Sequence, residues 1–329
     1  MRGQEAAAID DAVAWIVETL RRELGVGRLG EEDLEIAVAR DRAWGSLWTV
    51  RAQGRRYWFK RPHTNLRREV TLRRVLNERA PGELLPTVAA CAETGWQLTA
   101  DHGPVLAQRA REDGPAHYAD LARSLARVQR SLTADDVAEL RGIGLPVFES
   151  RDAVARLGEQ LTWFSGLPEG HPAHCTAAER ERALAGMGAP VERWGQRADA
   201  LDGVVPALGV DHNDLHGGNA FVTAQGVRLS DWGDTVLAHP FASLRALLVP
   251  VRNVFGADAV EEIRGAYLDE WGLGEAAEEL LDLAMMLAVP QRLSCWPALA
   301  DTDAWAEYGE YIAALWREIG TPVAKVEAP

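Results

Sequence analysis

Lysine is almost missing from this chain. Of its 35 basic residues only Lys60 and Lys325 are lysine, so nearly every positive charge is an arginine. Long apolar runs are missing too: no window approaches the roughly 18 uninterrupted apolar residues of a membrane span. The opening Met1-Arg2-Gly3-Gln4-Glu5 has no basic stretch leading into an apolar core. A soluble, cytoplasmic protein with no membrane partner is expected. Cysteine is sparse, and Cys91, Cys175 and Cys295 are odd in number, far apart and in no CxxC arrangement. That usage fits reduced thiols and predicts neither a disulfide nor a structural zinc. Net positive charge is absent as well. The formal charge is −14, which argues against nucleic acid, whose phosphates need a basic surface. There is no internal repeat, and no low-complexity segment beyond the short tail after Gly320.

What the chain does have is 329 residues at 47% hydrophobic content, enough for a large core and two domains. Its charge is unevenly spread. Residues 1–98 hold 16 Lys+Arg against 14 Asp+Glu, which leaves −16 for the remainder. Within residues 51–79 there are ten basic residues against two acidic ones, Glu69 and Glu78. One reading is a first domain that draws in an anion and a second whose acidic surface favours a cation. The other is simply the solvated faces of a helix and a hairpin.

Residues 5–24 place Ile9, Val13, Ile16, Leu20 and Leu24 at helical spacing, predicting an amphipathic helix. From Glu35 to Arg61 the pattern turns to strands: Ile36-Ala37-Val38, Leu47-Trp48-Thr49-Val50 and, after a turn at Ala52-Gln53-Gly54, Tyr57-Trp58-Phe59-Lys60. Asn65 reads as the N-cap of a helix running to about Asn77, with Leu66, Val70 and Val75 on one side. Leu84 to Ala92 and Trp96 to Thr99 read as two further strands closing a small antiparallel sheet. Beyond Asp101-His102-Gly103-Pro104 strand signals nearly vanish. Tyr118, Leu121, Leu125, Val128 and Leu132 mark a helix, and residues 147–165, 176–200, 241–253, 257–270, 275–288 and 303–318 carry helical patterns. The expected class is α+β: a β-sheet domain with helices over 1–100, then a mostly α-helical domain over 101–329, joined near Leu98 to Gly103.

The chemistry is concentrated in one window. His212-Asn213-Asp214-Leu215-His216-Gly217-Gly218-Asn219 is followed, after a hydrophobic run, by Asp231-Trp232-Gly233-Asp234. Moving a γ-phosphoryl group needs a carboxylate to orient and deprotonate the attacking hydroxyl, and oxygen ligands that hold Mg²⁺ against the triphosphate. His-x-Asp with Asn five residues beyond the Asp is the catalytic-loop pattern of kinases, and Asp-x-Gly on a following strand is their metal-binding pattern. Asp214 is the candidate base, and Asn219 and Asp231 the candidate metal ligands. Gly217 and Gly218 are expected to let the chain turn tightly so that Asn219 points back. Lys60 stands out because a compact ammonium on a flexible stem can sit among phosphate oxygens, where a planar guanidinium demands fork geometry.

With these residues the chain resembles the aminoglycoside phosphotransferase and choline kinase group of small-molecule kinases, built on a protein-kinase-like two-lobed fold. The resemblance spans most of the chain, but its specificity lies between Val210 and Asp234. It implies ATP as phosphoryl donor, Mg²⁺ as cofactor and the hydroxyl of a small molecule as acceptor, leaning to a cationic amino sugar or amino alcohol. It implies Glu69 as partner of the Lys60 ammonium, with a surface glutamate as the alternative. It places Gly45 and Ser46 in the loop over the phosphates, with the Ser46 hydroxyl toward the β-phosphate, although Gly45 alone remains of the glycine-rich pattern in Arg42-Ala43-Trp44-Gly45-Ser46. Leu98-Thr99-Ala100-Asp101 would be the adenine hinge, acting through main-chain groups. His212 would support the loop backbone. His216 stays open between contacting phosphate or acceptor and filling space, and Asp234 between metal-bound water and a cap on the next helix. Many relatives carry Pro-x-x-Asp-Leu after the metal motif; here Pro240-Phe241-Ala242-Ser243-Leu244 has Ser at the Asp position. No activation-loop and Ala-Pro-Glu arrangement follows Asp231, which argues against protein acceptors.

Two rival readings stand beside it. A nucleotide-binding regulator without turnover would fit the sparse phosphate loop. A metal-dependent hydrolase would use His212, Asp214 and His216 with Asp231 and His239, but Gly217-Gly218 reads as loop and no second histidine cluster completes the ligand set. His171-Pro172-Ala173-His174-Cys175 reads as incidental. Tryptophans 163, 194, 271, 296, 305 and 316 could wall an acceptor pocket, with core packing as the default.

Overall fold

The computed structural model describes residues 2–62, 66–198, 204–274, 277–297 and 304–319. The chain divides into two compact units, Met1–Thr71 with Pro86–Gly103, and Leu72–Leu85 with Pro104–Pro329. Residues 72–85 thus group with the second unit, whereas the sequence reading kept them with the first.

The first unit is built on helix α1 (Arg2–Leu24) and strands β1 (Leu34–Arg42), β2 (Gly45–Ala52), β3 (Arg55–Pro62), β4 (Ala89–Ala90) and β5 (Gln97–Ala100), with helix α2 (Glu69–Arg79) starting in it. The strands form one antiparallel sheet ordered β1-β2-β3-β5-β4. Gln53 (φ 48°) and Gly54 (φ 76°) close the β2–β3 hairpin with two left-handed residues in a row, the geometry that matches strand twist. Alternation then sorts the side chains. Trp48, Val50 and Ala52 on β2, Tyr57 and Phe59 on β3 and Leu98 on β5 bury one face against Ala12, Ile16 and Leu20 of α1. Trp15 and Trp96 add edge and tilted ring contacts around Phe59.

Two expected elements differ. Leu84 to Ala92 is not a strand: only Ala89–Ala90 pairs in the sheet, while Leu85 N–H donates to Leu229 O (2.8 Å) and Leu229 N–H to Glu83 O (2.9 Å) within the second unit. The apolar run there buries Leu84 and Leu85 as an irregular segment. The expected cap Asn65 lies outside the described residues. Helix α2 begins at Glu69, and its buried side keeps the expected Val75 but is completed by Leu72 and Leu76 in place of Leu66 and Val70, which are half-buried.

The second unit comprises α3 (Leu106–Asp113), α4 (Ala116–Ser131), α5 (Ala134–Gly142), α6 (Ala153–Ser165), α7 (Ala177–Ala198), β6 (Gly209–Asp211), β7 (Ala220–Thr223), β8 (Gly226–Leu229), β9 (Val236–Ala238), α8 (Leu244–Phe255), α9 (Ala257–Trp271), α10 (Glu278–Leu287), α11 (Val289–Leu293) and α12 (Ala304–Arg317). Tyr118, Leu121, Leu125 and Val128 form the buried stripe of α4, as their spacing predicts. Gln129 on that helix is buried and donates to Val210 O (2.9 Å) and Pro240 O (2.8 Å), while Tyr267 of α9 donates to its Oε1 (2.6 Å). One fully bonded amide therefore ties the helical core to the strand that leads into the catalytic window. Among the described residues no helix is long and apolar enough to cross a membrane.

Candidate active site

Two short ribbons explain why the segments that carry Asp214, Asn219 and Asp231 run side by side. β6 pairs with β9, with Asp211 opposite Val236. Nested inside, β7 pairs with β8, with Ala220 opposite Leu229. The segments 212–219 and 230–235 are the two connections between these ribbons, so they emerge side by side. Ser230 then stitches them: its N–H and Oγ both donate to Asn219 O (2.9 and 3.0 Å), and its own carbonyl accepts from His212 Nε2 (3.1 Å). His212 is fully buried, and burial lowers its pKa, so the neutral ring serves as the structural support expected of it.

Asn219 spends its side-chain N–H groups on Asp214, on the main-chain oxygen (2.9 Å) and on Oδ2 (3.2 Å). Its carbonyl oxygen is thereby left as a donor for a hard cation. Asp231 is exposed and sits at φ 57°, a left-handed conformation uncommon for a non-glycine residue and concentrated at functional sites. Asn213 is also left-handed, at φ 63°. Its amide donates to Asp234 O (3.1 Å) and Gln291 O (3.2 Å), and its N–H to Asp211 Oδ1 (2.8 Å). Asn213 stood in the window without drawing notice, yet it laces both loops to a later helix. An amide carboxylate-and-carbonyl donor set of this kind, Asn219 with Asp231, fits Mg²⁺, which takes few protein oxygens and leaves the rest to water and phosphate.

The residue that sequence reasoning missed is Arg292, on the five-residue helix α11. Its Nη2 lies 2.9 Å from Asp214 Oδ1 and its Nη1 donates to Asp234 Oδ2 at 2.7 Å. Nε donates to the Tyr311 hydroxyl (3.1 Å), and the guanidinium stands 5.9 Å from that ring's centroid. Burial opposes ionisation of Asp214, but the Arg292 guanidinium, with His216 adding to it, holds the carboxyl well below the usual carboxylate range. Burial likewise raises the Asp234 pKa; Arg292 opposes that, and the charges of Asp214 and Asp231 reinforce it. No helix begins at Asp234, so the capping reading is corrected: the chain enters β9, and the carboxylate pairs with Arg292. No spacing rule links positions 214 and 292, and α11 itself was absent from the predicted elements.

The glycines are explained by space rather than by left-handed backbone. Gly217 and Gly218 do not have positive φ. A Cβ on Gly217 would meet the Tyr118 hydroxyl at 2.5 Å and Ala107 N at 3.0 Å, and one on Gly218 the His216 ring at 2.6 Å. His216 accepts from Gly218 N–H through Nδ1 (3.0 Å) and places Nε2 3.7 Å from Asp214 Oδ2. Ser243, at the position where many relatives carry Asp, has its own partner: its hydroxyl donates to Asp211 Oδ1 (2.7 Å) and accepts from His212 N–H (3.0 Å). The carboxylate of that link comes from Asp211, whose burial pushes its pKa up to about 6.

In the first unit Lys60 Nζ donates to Glu69 Oε2 at 2.7 Å, and Gln97 Nε2 to the same oxygen at 3.0 Å. Glu69 is 1% exposed and the Lys60 side chain 27%, so a buried carboxylate aims an accessible ammonium. Ser46 does not join them. In the β2–β3 register Leu47 is opposite Lys60 and Ser46 opposite Arg61, so pairing parity puts the Ser46 side chain on the face of Trp48 and Phe59. Its hydroxyl is buried there without a partner among the described residues. The expected orientation of that hydroxyl is therefore corrected, and only main-chain groups at the β1–β2 tip fit the phosphate role. Gly45 is more than a turn former: at φ 149°, a Cβ would stand 2.5 Å from Arg61 O. In the hinge segment, the Asp101 side chain accepts from Trp58 Nε1 (3.0 Å) and Arg56 Nε (2.9 Å).

The hydrolase ligand set does not assemble. Among the described residues no three His, Cys, Asp or Glu side chains group as a metal site, and His239 is buried between Trp194 and Phe241. His171 and His174 bond to main-chain groups of their own loop. Trp194, Trp271, Trp296, Trp305 and Trp316 are buried core, and Trp163 is 37% exposed.

This is the two-lobed, protein-kinase-like α+β fold of small-molecule kinases, with a five-stranded antiparallel sheet in one unit and a helix-rich second unit. Similar structures include a choline kinase of Cryptosporidium parvum, at 11% identity and TM-score 0.61 over 93% of this chain and 94% of that one. A macrolide 2'-phosphotransferase of Brachybacterium faecium matches at 14% and 0.57, over 93% and 98%. Aminoglycoside 2'-phosphotransferase-IIIa, solved as its GDP complex, matches at 14% and 0.55, over 93% and 98%. No protein-family model and no curated protein sequence matches this chain.

Proposed function

We propose that this protein is a kinase that moves the γ-phosphoryl group of ATP, with Mg²⁺, to a hydroxyl of a small molecule. The observation that carries the reading is the Ser230 stitch, which brings the candidate base Asp214 and the oxygen donors Asn219 and Asp231 onto adjoining loops. The fold supports it, since the similar structures are phosphotransferases of small molecules by their names. Bound Mg²⁺ supplies neutralisation of charge on the triphosphate oxygens.

The chain's own groups divide the remaining work. Lys60, aimed by Glu69 and Gln97, holds phosphate oxygens as a point charge. Asn219 Oδ1 and the Asp231 carboxylate hold the metal. Asp214 is kept anionic by Arg292, so its carboxylate accepts the hydrogen bond of the acceptor hydroxyl and orients the oxygen for attack. As the new bond forms, that proton passes to Asp214. The charge of −16 over residues 99–329 supports an acceptor that carries positive charge somewhere on its frame.

Asp214→Asn is the decisive variant. Turnover should fall by roughly 10²–10⁴-fold, the range for a lost general base, with Mg-ATP binding by calorimetry retained. Turnover equal to the parent would remove Asp214 as base. Asp231→Ala should weaken Mg-ATP binding itself, and an unaltered metal dependence would contradict its role as ligand.

A further inference from the structure

Two carboxylates with an aromatic ring beside them make a position suited to an organic cation. Here the position between Asp214 and Asp234 is filled by the protein. Arg292 sits between their oxygens at 2.9 and 2.7 Å, over Tyr311, whose ring centroid lies 6.2 Å from that of Trp296. Nη1 also reaches Asn213 O (3.4 Å) and Nε the Tyr311 hydroxyl (3.1 Å). The second Asp214 oxygen takes the Asn219 amide (3.2 Å), with His216 Nε2 at 3.7 Å. Each Asp214 oxygen thus already faces a positive or amide partner, with lone pairs left for a hydroxyl donor. The Arg292 side chain is only 17% exposed, so a competing cation could enter only by standing beside a like charge or by stripping a buried guanidinium of its partners.

We propose that Arg292 is a built-in cation that closes this position to acceptor ammonium groups, so the reacting end of the acceptor is neutral and oxygen-bearing, a polyol or sugar hydroxyl rather than an amino alcohol. This deepens the kinase reading and rests on it. Of the five N–H groups of Arg292, three donate to Tyr311, Asn213 and Asp234, while Nη2 faces Asp214 Oδ1 as an ion pair at 2.9 Å and keeps N–H capacity for a neighbouring oxygen. An oxygen next to the reacting hydroxyl can accept from it; an ammonium cannot. Positive charge farther along the acceptor is unaffected.

The test uses the full chain and choline, ethanolamine and methylguanidinium as probes. In the parent protein, millimolar choline and ethanolamine should be neither phosphorylated nor bound saturably by calorimetry, and methylguanidinium should give no saturable thermal shift. Arg292→Ala should gain saturable methylguanidinium and choline binding, at least tenfold tighter than the parent, and should lose it again with Asp234→Asn added. Arg292→Lys should keep the exclusion. Choline or ethanolamine bound or phosphorylated by the parent overturns the proposal even if Arg292→Ala does not fold, and so does a folded Arg292→Ala with no gain. Failure of the kinase reading shows separately, as absence of Mg-ATP binding or, with Mg-ATP bound, of phosphoryl transfer to any hydroxyl acceptor in a broad panel of sugars, polyols and amino alcohols.

Discussion

Among the candidate functional residues each unit of this protein contributes one cation paired with a carboxylate, and the two pairings are built oppositely. In the sheet unit the carboxylate of Glu69 is buried and the Lys60 ammonium reaches toward solvent. In the helical unit the cation is the inner member: Arg292 is 17% exposed, against 27% for both Asp214 and Asp234. The residue types suit these roles. An ammonium on a flexible stem has donors to spare for a ligand's oxygens, while a planar fork divides fixed N–H directions among partners of known position. The first pair presents its positive charge; the second presents its negative charge.

Exchanging the two cation types should break this symmetry most visibly. Lys60→Arg should leave activity near that of Lys60→Ala, because a fork cannot take the point-charge role. Arg292→Lys should retain a substantial part of turnover while Arg292→Ala loses most of it, as steady-state kinetics on the four variants would show. Equal rescue at both sites would erase the distinction. Stability changes come next. Glu69→Ala leaves an ammonium and the buried Gln97 amide without their acceptor, and should cost about 3 kcal/mol in denaturant unfolding. A loss below about 1 kcal/mol would mean that Glu69 is a surface residue in energetic terms.

The pH profile sharpens the comparison further, because Asp211 at the end of β6 has no ion-pair partner among the described residues and a pKa that burial pushes up to about 6. Below the ordinary carboxyl value of 3.8 both the folded and unfolded chains hold this proton, and the group is neutral to stability. As pH rises from there to about 6 the unfolded chain releases the proton first, so stability falls, by about 3 kcal/mol for a shift of this size. Asp211→Asn should flatten that stretch of the profile, and an unchanged slope between variant and parent would assign it to other groups. The smallest effect is steric. Gly217→Ala forces a Cβ against the Tyr118 hydroxyl and should cost roughly 1–3 kcal/mol, with melting temperature as the readout.

Much of this was legible in the chain before any fold was known, and the reason is range. Lys60 and Glu69 lie nine residues apart across a strand and a helix start, and Asp214, Asn219 and Asp231 lie within one pair of nested hairpins, so local spacing carries their geometry. Alternation along β2 and β3 likewise marks the buried face, and that same alternation turns Ser46 away from Lys60. Leu84 to Ala92 misled because a short apolar run is equally suited to a strand and to a buried irregular segment. Asp234 misled because an Asp after a loop resembles a helix cap when its distant partner is unknown.

By itself, then, the sequence determined which atoms the proposed phosphoryl transfer would use: one isolated lysine, one acid in a His-x-Asp loop, an amide and a second acid at set intervals. It also determined the sheet and most helices, since periodicity is a local property. Only the tertiary structure decided the electrostatic state of the site, because charge neutralisation depends on distance in space and not along the chain. Arg292 comes to Asp214 through the packing of a five-residue helix, and Ser243 to Asp211 across another interface of the same unit. Those two long-range contacts decide how the candidate site around Asp214 is charged.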